Sequence, residues 1–227
     1  MSHITATRIH KRRSQVSAEL AERFRAIPVA NISDCMQRIT AAGPRLRPMH
    51  AGGAMSGPAF TVKTRPGDNL LAHKALDLAQ PGDVIVVDAG GDLTNAIMGE
   101  LMTGYAASRG IAGIVINGAI RDAETLRASK FPVYAAGVTH RGPYKDGPGQ
   151  INVAIAIDGM VIEPGDLIVG DADGVLCVPM DEAEGIYAAA HEKNEQEKVT
   201  VAHIAAGSLD TSWVDVALNR LGYTSEY

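Results

Sequence analysis

Residues 81–92 read Pro81-Gly82-Asp83-Val84-Ile85-Val86-Val87-Asp88-Ala89-Gly90-Gly91-Asp92: a turn, a short unbroken apolar run, then a glycine-rich loop. An apolar run of that length, bounded by turn residues, suits a parallel strand buried on both faces. Beyond it the spacing predicts a helix from about Gly99 to Ser108, stopped by Gly110. Ile114-Val115-Ile116-Asn117 is a second buried strand, and Gly118-Ala119-Ile120-Arg121-Asp122 a loop. A short helix over 123–128 and a third strand, Val133-Tyr134-Ala135-Ala136, complete a parallel βαβαβ unit. The fold class is α/β.

Upstream, a helix is expected from Ser17 to before Pro28, and another opening at Asn31-Ile32-Ser33-Asp34, where Asn31 or Ser33 can cap free backbone amides. Phe60 to Thr64 alternates apolar and polar residues, which predicts a strand with one solvated face, and 69–80 has helical spacing. Downstream, Ile151 to Ile157 alternates as one strand. Val161-Ile162, Leu167-Ile168-Val169 and Val175 to Val178 follow between Gly/Asp turns, so antiparallel or mixed pairing is expected there. Pro-Gly-Asp recurs at 164–166. Helices over 181–206 and 210–221 close the chain, with Trp213 and Tyr223 expected to anchor the last of them. The expectation is a single domain over 1–227, with 1–16 a flexible tail and 181–227 helices available for oligomer contacts.

A net charge of −5 and a pI near 5.8 argue against a nucleic-acid-binding surface, and the one dense basic run, Lys11-Arg12-Arg13, reads as a solvated tail. Cys35 and Cys177 each sit in an apolar pattern and read as buried thiols rather than a disulfide framework. No N-terminal apolar segment and no run of about 18 apolar residues is present, so a cytoplasmic, soluble protein without a membrane partner is expected.

Ligands of open α/β sheets bind outside the carboxyl ends of parallel strands. Two loops fall there. Gly90-Gly91-Asp92 through Met98-Gly99-Glu100-Leu101-Met102 leads into a helix N-terminus that favours anions, or is simply a tight turn. Arg121 and Asp122 offer a fixed cation for a carboxylate and a hard oxygen ligand for Mg²⁺ or Mn²⁺, or else a surface ion pair and an N-cap. Adjacent parallel strands would bring Glu100 beside Arg121. Such a set can polarise a 2-oxo acid and stabilise an enolate. His73 reads as structural, Asp171 and Asp173 as a turn, and the donor-rich run His140 to Lys145 as either a substrate contact or an oligomer contact.

Gly99-Glu100, followed after twenty positions by Arg121-Asp122, resembles the metal-dependent 4-hydroxy-4-methyl-2-oxoglutarate (4-carboxy-4-hydroxy-2-oxoadipate) aldolases and the related RraA-like regulators of ribonuclease activity. Asn31 to Asp34, Gly82 to Asp88 and Gly170 to Val175 support the resemblance, which spans roughly 25–208. It implies stacked β-sheets flanked by helices, of the swivelling β/β/α type, assembled as a homotrimer or homohexamer. It implies a class II pyruvate aldolase that also decarboxylates oxaloacetate. Asp122 would hold Mg²⁺ or Mn²⁺, Arg121 the substrate and its enolate, the amides of Leu101 and Met102 beside Gly99 the pyruvyl carboxylate, and Glu100 the proton transfer. A further metal glutamate from the neighbouring subunit matches Glu197, with Glu192 and Glu195 on the same helix. The aldolases usually carry aspartate where this chain has Glu100, a shift of about one ångström in the carboxylate. The charge is kept, whereas the non-catalytic ribonuclease-binding members lack an acid there. A methyltransferase label also attaches to the family, but no S-adenosylmethionine-type glycine loop is evident.

Overall fold

The computed structural model describes residues 7–38 and 42–224. The strands are Thr7–Ile9 (β1), Arg47–Pro48 (β2), Met55–Thr64 (β3), Val84–Asp88 (β4), Ala96–Met98 (β5), Gly113–Ile120 (β6), Val133–Val138 (β7), Gly149–Ile151 (β8), Ile155–Ile157 (β9), Met160–Ile162 (β10), Leu167–Gly170 (β11) and Val175–Val178 (β12). The helices are Ala18–Phe24 (α1), Val29–Cys35 (α2), Leu70–Leu78 (α3), Glu100–Ser108 (α4), Ala123–Ala128 (α5), Ala183–Ala205 (α6) and Ser212–Arg220 (α7). By density of internal contacts the chain falls into two units, 1–190 and 191–227.

The predicted βαβαβ unit is present as β4-α4-β6-α5-β7, and α3 adds β3 as a fourth parallel strand. The sheet order is β1-β8-β3-β4-β6-β7-β2. β3 belongs to two layers. Its second half, Ala59–Lys63, pairs with β4, while Met55–Pro58 pairs antiparallel with β11, which in turn pairs with β12.

Strand alternation explains the layering. Ile85, Val87, Ile114 and Ile116 bury against α3, α4 and α5, whereas Val84, Val86 and Val115 bury against β9–β12. The second sheet repeats the device. Ile168 and Cys177 face the first sheet, and Leu167, Val169, Leu176 and Val178 face α1, α2 and the start of α6. Each such side chain contributes about 1.5–3 kcal/mol by leaving water. A strand covered on both faces cannot alternate in hydropathy, which is why the runs look unbroken.

Four expectations about individual elements change. Phe60 to Thr64 has no solvated face. Only Lys63 is exposed, and the Thr61 hydroxyl donates to Val153 O at 2.7 Å. Asn31 lies inside α2, and Asp171 Oδ2 does the capping by accepting from Val29 N at 2.9 Å. The run 151–157 is two strands, broken where Asn152 takes a φ of 56°. β6 continues to Ile120, so the loop shrinks to Arg121 and Asp122.

The described part of the tail, from Thr7, is built into the fold. β1 pairs with β8, and the largely covered Arg12 reaches the buried Asp83 Oδ1 through Nη2 at 2.8 Å. The two Pro-Gly-Asp turns match each other, Asp83 Oδ2 accepting from Gln80 N and Asp166 Oδ2 from Glu163 N, each at 2.8 Å.

In the second unit α7 buries none of its residues, and Trp213 and Tyr223, expected as anchors, are exposed. Among the described residues no helix is long and apolar enough to cross a membrane.

Removing Arg12 would leave the buried Asp83 carboxylate without its counter-ion, with only the Gln80 amide to offset its charge. Arg12→Ala is expected to cost about 3 kcal/mol and lower Tm by about 6–12 °C. Thermal unfolding followed by circular dichroism checks this; an unchanged Tm would return the segment to a tail.

Candidate active site

β6 ends at Ile120, and the next two residues occupy the carboxyl edge of the parallel sheet. The junction is held from both sides. Arg121 N donates to Met98 O, and Thr139 N donates to Ile120 O, each at 2.9 Å. Asp122 then adopts a left-handed φ of 57°, a conformation that aspartate tolerates better than most residues but that still costs energy. Although Asp122 stands at the start of α5, its side chain makes no capping bond there. It turns back instead, and Oδ2 accepts from Glu100 N, the first amide of α4, at 2.9 Å. Arg121 Nε lies 3.7 Å from the same oxygen, a loose pairing that leaves the guanidinium donors available.

Gly99 makes this approach possible. A Cβ at that position would collide with Asp122 Oδ2 and Arg121 Cγ. Its backbone is extended, so the requirement is for space. In the first turn of α4 the amides of Leu101 and Met102 precede the first helical bond, Thr103 N to Gly99 O, and lack intrahelical acceptors. They join Arg121 in presenting donors to an anion.

These groups open on a pocket of about 310 Å³, a size that suits a small metabolite. Gly99, Leu101, Met102 and Arg121 line it, together with Asn69, His73, Pro143 and Lys145. A larger cleft of about 580 Å³ between His10–Ser14 and Glu163 contains none of the candidate residues. Glu100 is exposed beside Asp122. Glu197 belongs to the second unit, where it pairs with Lys193 Nζ at 2.9 Å. Among the described residues no three His, Cys, Asp or Glu side chains cluster to hold a metal. The carboxylates nearest the site, Asp122 and Glu100, are oxygen donors of the type that Mg²⁺ and Mn²⁺ take.

His73 had read as structural, yet it is exposed on the pocket wall one turn after Asn69. Partial desolvation of its ring against the pocket wall, then the charge of Lys145, push its pKa below the ordinary histidine value, which favours the neutral imidazole at pH 7. Its position at the start of α3, on the side carrying Asn69, was the available signal. The 90–91 loop is a turn: Gly90 N donates to Asp88 Oδ1 at 3.1 Å and Gly91 N to Asn117 O at 3.0 Å, so these amides are committed. Asp171 and Asp173 likewise close the turn between β11 and β12.

Residues 29–177 match the model of the RraA-like family, described as Aldolase/RraA. A Halalkalibacterium halodurans protein provisionally named a 4-hydroxy-4-methyl-2-oxoglutarate aldolase is 43% identical over 82% of this chain and 88% of its own. A Thermus thermophilus protein named 4-hydroxy-4-methyl-2-oxoglutarate aldolase is 36% identical over 49% of this chain and 68% of its own. Among solved structures, Streptomyces coelicolor RraAS2, described as an unusual member of the RNase ES inhibitor RraA protein family, superposes with a TM-score of 0.74. It is 27% identical over 82% of this chain and 98% of its own.

Gly99→Ala is expected to weaken pyruvate binding in the presence of Mg²⁺ at least tenfold and to cost about 1–3 kcal/mol of stability. Gly104→Ala, on the same helix with open space around it, is expected to leave binding unchanged and stabilise by about 0.5–1 kcal/mol. Titration calorimetry and thermal unfolding of the pair check both.

Proposed function

The chain belongs to the RraA-like Aldolase/RraA family, and on that premise we propose that it is a carbon–carbon lyase. It cleaves 4-hydroxy-2-oxo dicarboxylic acids of the 4-hydroxy-4-methyl-2-oxoglutarate type to pyruvate by a retro-aldol reaction. The same enolate would serve oxaloacetate decarboxylation. The observation that carries this is that Arg121 and the first turn of α4 line one pocket, with the Asp122 carboxylate bonded to the first amide of that helix.

In the proposed cycle the substrate carboxylate lies on the amides of Leu101 and Met102, and the Arg121 guanidinium faces the carboxylate and keto oxygens. Glu100, directly or through water, takes the proton of the C4 hydroxyl. The C3–C4 bond breaks, its electron pair passes into the pyruvate enolate, and a carbonyl forms at C4. Arg121 stabilises the enolate oxygen until a proton returns to C3. In oxaloacetate, loss of CO₂ delivers the same electron pair to the same sink. Mg²⁺ or Mn²⁺ held by Asp122, with Glu197 of the partner subunit, would supply further positive charge at the keto oxygen. Lys145 and its neighbours from His140 onward would face the distal carboxylate.

A homotrimeric or homohexameric assembly is part of the proposal. The exposed Trp213, Val216 and Leu221 of the second unit support it, since such residues are apolar surface without cover.

The structural likeness to RraAS2 favours a second reading, a non-catalytic protein that binds and inhibits a ribonuclease. Glu100 beside Asp122 speaks for the lyase, because a binding protein needs neither.

Pyruvate release from 4-hydroxy-4-methyl-2-oxoglutarate and from oxaloacetate is expected with Mg²⁺ or Mn²⁺ and is expected to vanish with EDTA. Arg121→Ala is expected to lower kcat/KM about 10²–10³-fold with Tm preserved. A lack of metal-dependent turnover on both substrates would remove the lyase assignment.

A further inference from the structure

Asp68 is fully buried, yet it carries a carboxylate. Burying such a charge is costly unless its oxygens are hydrogen-bonded. Oδ1 accepts from Leu70 N at 3.0 Å, which caps the start of α3. Oδ2 reaches across the pocket rim and accepts from Asp146 N at 2.7 Å and Gly147 N at 2.9 Å, with Arg65 Nη2 at 3.1 Å. Burial pushes the carboxyl up, but these amides and Arg65 outweigh it and hold its pKa below the ordinary aspartate value. Capping α3 alone needs only a neutral Asn or Ser. The second oxygen joins α3 to a distant loop.

That loop is anchored at its other end as well. Asn95, also buried, donates through Nδ2 to Gly142 O at 2.5 Å, and Ala96 N donates to Arg141 O at 2.9 Å. Between the anchors, Tyr144 N donates to Gly67 O at 2.8 Å and Asn69 N to Tyr144 O at 3.0 Å. Between them too lie Pro143 and Lys145, which line the same pocket as Arg121. The segment 139–148 has no helix and no paired strand to hold it beyond a single bridge between Asp68 and Tyr144. Its place at the pocket is therefore set by a few backbone bonds together with the Asp68 and Asn95 side chains.

We infer that Asp68 and Asn95 are positioning residues that fix the pocket wall facing the non-pyruvyl half of the substrate, and so set which 4-hydroxy-2-oxo acids fit. This rests on the lyase function proposed above. The Arg121 end, where the pyruvyl part binds, is carried by β6 and α4, and it meets this loop through backbone bonds that both variants keep, Thr139 N to Ile120 O and Ala96 N to Arg141 O. The Asp68 Oδ2 and Asn95 bonds act on the loop, so cutting them is expected to disturb that half of the site more than the Arg121 half.

The test compares Asp68→Asn, Asn95→Ala and wild type in two assays with the same divalent metal: cleavage of 4-hydroxy-4-methyl-2-oxoglutarate, and exchange of pyruvate C3 protons in D₂O followed by NMR. Exchange needs only the pyruvyl end. The expected result in both variants is a KM for cleavage raised about tenfold or more, with a smaller fall in kcat and with pyruvate exchange within about twofold of wild type. If Asp68→Asn does not fold, Asn95→Ala carries the test alone. A KM within twofold of wild type in a folded variant overturns the inference, as does a parallel loss of exchange and cleavage. Wild-type protein that does neither reaction overturns the lyase function and this inference with it.

Discussion

A single hydrogen bond organises the carboxyl edge of this sheet: Asp122 Oδ2 accepting from the first amide of α4. It joins the two loops that carry the candidate chemistry, and its demands explain the residues around it. Asp122 must turn back from the end of β6, so it takes a left-handed conformation. The helix must come close, so position 99 has no side chain. Arg121 extends beside the same carboxylate at 3.7 Å, close enough to be oriented and far enough to keep its donors for a ligand. A charge-assisted bond to a helix N-terminal amide is stronger than its neutral counterpart, which suits a contact that must offset local strain.

The layers behind this edge supply rigidity. β4 and β6 are buried on both faces, by helices on one side and by the second sheet on the other. A close-packed strand of this kind has little freedom to shift. Another part of the pocket wall is built differently, from a loop tied down by the buried Asp68 and Asn95. A rigid end holds the invariant part of a ligand, and an anchored loop meets the part that can vary, which is the usual division between scaffold and loop.

Much of this was legible in the sequence. The unbroken runs at 84–88 and 114–117 identify doubly covered parallel strands, and the position of Arg121 and Asp122 after the second places them at the binding edge. Other features were hidden for physical reasons. Phe60 to Thr64 alternates because the Thr61 hydroxyl finds a buried carbonyl, which hydropathy cannot distinguish from water. The N-terminal run looked like a tail because its only buried cation, Arg12, needs Asp83, seventy-one positions away. Asp68 and Asn95 bond to a loop far along the chain, and local patterns carry no trace of such contacts. Asp122 looked like an ordinary N-cap; which helix it caps is a fact of tertiary structure.

Aldolase and ribonuclease-inhibitor proteins share this fold, and fold alone does not decide between them. What separates the two is whether the Arg121–Asp122 edge stabilises an enolate. Oxalate has the shape and charge of the pyruvate enolate, and an enzyme binds a mimic of its reactive state more tightly than its substrate. Titration of oxalate by calorimetry, with and without Mn²⁺, tests the claim most directly. Binding at least tenfold tighter with the metal is expected, with loss of that gain in Asp122→Asn. Equal affinity with and without Mn²⁺ would contradict it.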